Sequence, residues 1–152
     1  MIIKIGDFAD KRVKALLEYH LHGMHAASPP GHVFALDWSA LQKPQISFYI
    51  GWHDEKPVVM GATKDLGGGT GEVKSMRVAE GENGKGYGQA MLLYIIAQAR
   101  RRCFSQLSLE TGTGAPFEAA LSLYRKHGFV EGEAFAGYQK SEFCRFYHLA
   151  LL

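Results

Sequence analysis

Cysteine is scarce in this chain: Cys103 and Cys144 are the two thiols among 152 residues. That excludes a disulfide scaffold, and their spacing suits no structural zinc. The seven histidines (20, 22, 25, 32, 53, 127 and 148) do not group as zinc ligands. His22 and His25, one turn apart on an expected helix, are not read as a site either, so no metal is expected. Long apolar runs are also missing. None approaches the roughly 20 residues a membrane-spanning helix requires. The N-terminus, MIIKIGDFADK, has neither the apolar stretch nor the small-residue cleavage site of a signal peptide, so a cytoplasmic location is expected with no membrane partner. Charge of one sign is lacking too. The net charge is +2. The run Arg100, Arg101, Arg102 falls at an expected helix C-terminus, where cations offset the dipole, and no basic or aromatic stripe accompanies it. Nucleic acid is therefore not an expected partner.

What is present is a core. Hydrophobic residues make up 47% of the chain, and the length suits one domain spanning residues 1–152. Residues 2–5 read as a strand. Val13, Leu16, Leu17, Leu21 and Met24 recur at helical spacing after a capping Asp7, and Pro29–Pro30 end that helix. A second short helix is expected from Val33 to about Leu41. ISFYIGW (46–52) and PVVMGAT (57–63) read as a hairpin about the polar turn HDEK. DLGGGTG (65–71) reads as a second turn, leading into a strand over 72–79. Met91, Leu92, Ile95, Ile96 and Ala99 mark the apolar face of a further helix, and LSLET (107–111) the next strand. A helix from Pro116 to His127 has proline in its first turn and Gly128 as its stop. Phe129–Val130 and Phe143–Leu151 close the chain as strands.

The most informative stretch is ENGKGYGQAM at 82–91. Gly84, Gly86 and Gly88 stand between the strand GEVKSMRV (71–78) and a helix N-terminus. Alternate glycines let backbone N–H groups approach an anion, and the helix dipole adds positive potential. This is the composition of a pyrophosphate cradle. A P-loop is disfavoured because Lys85 is followed by Gly86 rather than by Ser or Thr. A dinucleotide fold is disfavoured by the Gly-x-Gly-x-Gly spacing and by the loop's late position.

The segment GEVKSMRVAEGENGKGYGQAM resembles motif A of the GNAT superfamily of N-acetyltransferases. AALSLYRKHGF (119–129) resembles that superfamily's second signature, Ala-x-x-Leu-Tyr-x-x-x-Gly-Phe. The two lie in the expected order, separated by one helix and one strand, and SPPG, ALD, VKSMR and LSLETG further resemble a small bacterial subgroup. The resemblance is closest over 57–152. It implies an α/β (α+β) fold, with a mixed central sheet of six to seven strands flanked by about four helices. It implies acetyl-CoA as donor and an amine, small molecule or peptide, as acceptor. Backbone groups of Met76, Arg77 and Val78 are then expected to meet the pantetheine arm. Asn83, Gly84, Lys85, Gly86, Tyr87, Gly88 and Gln89 are expected to hold the diphosphate. Two positions depart from the pattern: Asn83 stands where motif A prefers Gln or Arg, and Phe117 where many members carry an asparagine.

Acyl transfer to an amine requires a neutral nucleophile, a stabilised oxyanion and a protonated leaving thiolate. On spacing alone Tyr124 reads as core, sharing a face with Phe117, Ala120 and Leu121. The Leu-Tyr-x-x-x-Gly-Phe context implies instead the acid that protonates the thiolate. Glu72 and Glu110, at strand ends near the expected cleft, are the candidate bases; each also reads as a solvated charge, and an acceptor of low pKa needs no base. Met24, His25, Asp37, Trp38 and Tyr138 are candidate acceptor walls, with Asp37 suited to a cationic amine. A non-catalytic acyl-CoA-binding or sensing module is the alternative function. A homodimer could form by edge pairing of the C-terminal strands.

Overall fold

The computed structural model describes residues 1–152. Seven strands form one sheet in the order β1-β2-β3-β4-β5-β7-β6: β1 (Ile2–Ile5), β2 (Ile46–His53), β3 (Lys56–Gly67), β4 (Thr70–Val78), β5 (Gln106–Thr111), β6 (Val130–Glu131) and β7 (Arg145–Ala150). Three α-helices accompany it: α1 (Lys11–Ala27), α2 (Tyr87–Arg101) and α3 (Glu118–Lys126). Strands β1 to β4 are antiparallel neighbours, and β4 pairs with β5 in parallel. Two-residue turns set the hairpins. Asp54–Glu55 (φ 48° and 64°) joins β2 to β3, and Gly68–Gly69 (φ 63° and 79°) joins β3 to β4. Positive φ at both positions matches the twist of the flanking strands. The expected turn over 65–71 shrinks to two residues because both strands run further than their apolar pattern.

Alternation along the strands divides the core. Phe48, Ile50, Met60 and Ala62 pack with Val13, Leu16 and Leu17 of α1 and with Leu41. Tyr49, Val59, Val73, Leu107 and Leu109 pack with Met91, Leu92, Ile95 and Ile96 of α2 and with Leu121 and Tyr124 of α3. Successive strand residues face opposite ways, so the two clusters lie on opposite faces of the sheet. Each fully buried Leu, Ile or Val contributes roughly 1.5–3 kcal/mol. Helix α1 begins at Asp10, whose carboxylate accepts the Arg12 N–H at 2.8 Å, and stops before Pro29.

Two expectations need correction. Residues 33–39 form no helix; one 3-10 turn, Ala40–Gln42, follows them, and three α-helices rather than about four flank the sheet. Asp37 explains part of this: its Oδ1 accepts the Ala40 N–H at 2.8 Å, so its side chain competes for local backbone. The helix expected from Pro116 starts as a 3-10 turn (Ala115–Phe117) before α3. Strand β7 is paired on both sides, with β5 and β6, so the C-terminal edge of the sheet is the two-residue β6 alone. No helix is long and apolar enough to cross a membrane.

Candidate active site

The site begins with a defect in β4. Cross-strand pairing runs Ala62 with Lys74, then Met60 with Arg77, so β4 carries one residue more than β3 across this step. Ser75 takes φ 58°, the left-handed value a bulge of this kind needs and an uncommon one for serine. On its other side β4 pairs with β5 only over Thr70–Gln106, Gly71–Leu107 and Glu72–Ser108. Past Glu72 the two strands part, and a cleft of ≈ 580 Å³ fills the gap. It runs from the glycine loop, on the α2 and α3 side, to α1 on the other face.

The glycine loop is built as the sequence suggests. Gly84 and Gly86 adopt φ 80° and 83°, and Gly86 caps α2. A Cβ at either would meet nothing within 4 Å, so glycine is required by conformation rather than by space. Loop hydrogen bonding ends with the Glu82 N–H on the Ala79 carbonyl and resumes with the Ala90 N–H on the Gly86 carbonyl. The amides between them, at the positive end of a 15-residue helix, have no loop carbonyl to satisfy them. At the bulge, Ser75 Oγ is buried without a hydrogen-bond partner. These groups fit a diphosphate with a polar arm running along β4. Acetyl-CoA has that chemistry.

Tyr124, Glu72 and Glu110 all line the cleft. The Tyr124 ring packs edge-on against Phe129 at 5.7 Å. Burial pushes its phenol up to about 12, against a smaller opposing pull from Arg77, so the proton is held at neutral pH. The two carboxylates differ. Glu72 is only 2% exposed, and its Oε2 accepts from the Tyr138 hydroxyl at 2.6 Å and the Lys74 ammonium at 3.2 Å. It is thus neither a solvated strand-end charge nor a free base. Glu110 forms no ion pair. Burial raises its carboxyl to about 7, partly offset by Lys74. A carboxylate that exchanges its proton near neutral pH suits proton abstraction.

The model of the Acetyltransferase (GNAT) family matches residues 13–129. The chain belongs to the GNAT acetyltransferase family. It is 42% identical over 149 residues to the uncharacterised N-acetyltransferase YedL of Escherichia coli (strain K12), covering 98% of this chain and 94% of that protein. It is 41% identical over 138 residues to the uncharacterised N-acetyltransferase YsnE of Bacillus subtilis (strain 168), covering 91% of each. Among solved structures, a Bacillus subtilis acetyltransferase in complex with CoA superposes with a TM-score of 0.73 at 19% identity, covering 99% of this chain and 98% of that one. The mixed sheet with its helices is the GNAT fold, and membership makes the chain an acetyl-CoA-dependent N-acetyltransferase.

Within this GNAT cleft lie Met76, Arg77, Val78, Asn83, Gly84, Gly86, Gly88 and Gln89 of the expected cofactor set. Lys85 and Tyr87 lie beside it. The Lys85 ammonium is 2.8 Å from Glu82, which also holds Lys56 at 2.7 Å, so its charge is engaged. Tyr87 packs against the α2 core, with its ring 6.2 Å from His53. Gln89 accepts from Lys126 at 2.7 Å and so ties α2 to α3. Phe117 lines the cleft, edge-on to Phe143 at 5.5 Å.

Of the expected acceptor walls, Met24 lines the cleft, while His25 is exposed and outside its lining. Asp37 is exposed and spent as a cap, and Trp38 stacks edge-on with Phe8 at 5.1 Å beside the α1 core, so neither forms a wall. Tyr138 bonds Glu72 and walls an adjoining cavity that shares Phe34 and Glu72. Sequence reasoning missed Tyr19, His20, Gly23 and Lys74, which line the α1 side. His20 continues the Val13, Leu16, Leu17 stripe one turn on, and that spacing was the available signal. No group of three or more His, Cys, Asp or Glu is arranged to hold a metal ion.

Proposed function

We propose that this protein transfers the acetyl group of acetyl-CoA directly to a primary amine, either a small molecule or a peptide, in one domain and without a metal. The carrying observation is the convergence, in one cleft, of a partner-free amide loop, a bulged strand, a protonated tyrosine and a carboxyl that titrates near 7. When bound, acetyl-CoA supplies an activated acyl thioester. The amides from Asn83 to Gln89 hold the diphosphate, with glycine conformation doing what a charged side chain at position 83 would do elsewhere. The backbone of Met76 and Val78 aligns the pantetheine arm, and an N–H at the bulge faces the carbonyl oxygen where negative charge develops.

Glu110 takes the proton from the attacking nitrogen, whose lone pair forms the new bond to the carbonyl carbon. As the carbon–sulfur bond breaks, the Tyr124 hydroxyl gives its proton to the sulfur. Glu72 positions Lys74 and Tyr138 rather than acting as the base. Thiol release with a panel of amines, read alongside product mass, tests this. One free CoA per acetylated amine is expected. Acetyl-CoA binding with no thiol release from any amine would make the protein a sensing module instead.

A further inference from the structure

Arg77 lies in the cleft with no carboxylate within ion-pair distance, unlike Lys74, whose ammonium sits 3.2 Å from Glu72. Its Nε donates to Nδ1 of His20 at 3.0 Å. That histidine is buried, and burial, then the arginine's own charge, drops it to about 3, so it brings no compensating charge. The Tyr19 ring lies 5.9 Å from Cζ and offers a π face rather than a carboxylate. The two terminal nitrogens have no acceptor in the chain. Arg77 is half-buried, and placing a guanidinium partly out of water without a counter-charge is unfavourable, so burial pulls its pKa down.

Two features of the chain keep the group there. Without the bulge, Lys74 and Arg77 would face opposite sides of β4, since strand residues alternate. The extra residue at Ser75 pairs them with Ala62 and Met60, which share a face, so Arg77 joins Lys74 on the α1 side. On α1, Gly23 clears the space: a Cβ there would stand 3.3 Å from Nη2 and 3.5 Å from Cζ. The cation also lies close enough to Tyr124 for each to bias the other's proton.

We infer that Arg77 is an anion anchor in the acceptor half of the cleft, and that the preferred acceptor is a small amine that also carries a carboxylate. This rests on the acetyl-transfer reading above. A guanidinium with two free terminal nitrogens matches a carboxylate bidentately, which a neutral or purely cationic amine cannot exploit.

Matched acceptors test it: β-alanine against β-alaninamide, and γ-aminobutyrate against its carboxamide, at saturating acetyl-CoA. The carboxylates are expected to have kcat/KM higher by about tenfold to a hundredfold. Arg77→Gln should bring that ratio to within about threefold of one, through KM, while Arg77→Lys keeps part of it. Calorimetry on the CoA-bound protein gives a readout apart from turnover: β-alanine affinity should fall at least about tenfold in Arg77→Gln, with acetyl-CoA affinity within about threefold of the parent. Equal use of carboxylate and carboxamide by the parent enzyme would overturn the inference and leave acetyl transfer standing. So would an Arg77→Gln protein that loses acetyl-CoA instead of the acceptor. Absence of acetyl-CoA binding in the parent protein would remove the transfer reading itself, and this inference with it.

Discussion

The two ends of the cleft are made of different material. The α2 end is backbone: glycines at φ 80° and 83°, amides at a helix N-terminus, and a bulge. The α1 end is side chain: His20 from α1, Glu72, Lys74 and Arg77 from β4, and Glu110 from β5, with Tyr138 bonded to Glu72 from the adjoining cavity. On the proposed reading, backbone recognition of the diphosphate needs only conformation, and Asn83 in place of a charged residue is expected to leave the site able to bind. Side-chain recognition depends on which groups are paired and which are left over. Glu72 and Lys74 neutralise each other, whereas Glu110 and Arg77 remain available. On the proposed reading, donor binding and acceptor choice are expected to separate by mutation.

Glu110→Gln tests this division most severely. Turnover near pH 7.5 should fall on the order of 10³-fold, with acetyl-CoA affinity little changed. In the parent enzyme the rate should rise through a pKa of about 7, and the variant should lose that rise. Stability follows the opposite sense. A carboxyl raised from 4.5 to about 7 in the folded state contributes stability that is complete below pH 4.5 and lost as pH climbs through 7. Melting temperatures of parent and variant should thus diverge over that window.

Tyr124→Phe should lower turnover on the order of 10²-fold while sparing donor affinity, read by stopped thiol-release assays. Unchanged turnover would leave the tyrosine as core only. Gly86→Val attacks the other end: a β-branched residue in left-handed geometry costs about 1–2 kcal/mol, so the acetyl-CoA Kd should rise about tenfold. Lys85→Ala should change that Kd by less than about threefold, because Glu82 already holds the ammonium. A larger loss would show that a side-chain charge shares the work of the amides.

Legibility in the sequence follows the same division. The glycine loop, α2, α3 and the hairpins were readable because each depends on residues adjacent in the chain. The helix expected from Val33 to about Leu41 fails over 33–39, where Phe34 and Leu36 are partitioned between Tyr138, which Phe34 meets edge-on at 5.3 Å, and the α1 core. The left-handed Ser75 has no local signature, since serine does not announce positive φ. Without that bulge, the shared face of Lys74 and Arg77 could not be foreseen. The pairing of Glu72 with Tyr138 joins residues far apart in the chain, so spacing carried no trace of it.

Calorimetric titration of the parent protein with acetyl-CoA tests the central claim most directly. One site per chain with exothermic, saturable binding is predicted, weakened by Gly86→Val and retained by Glu110→Gln. No heat of association at millimolar acetyl-CoA, in a protein shown to be folded, would contradict the account.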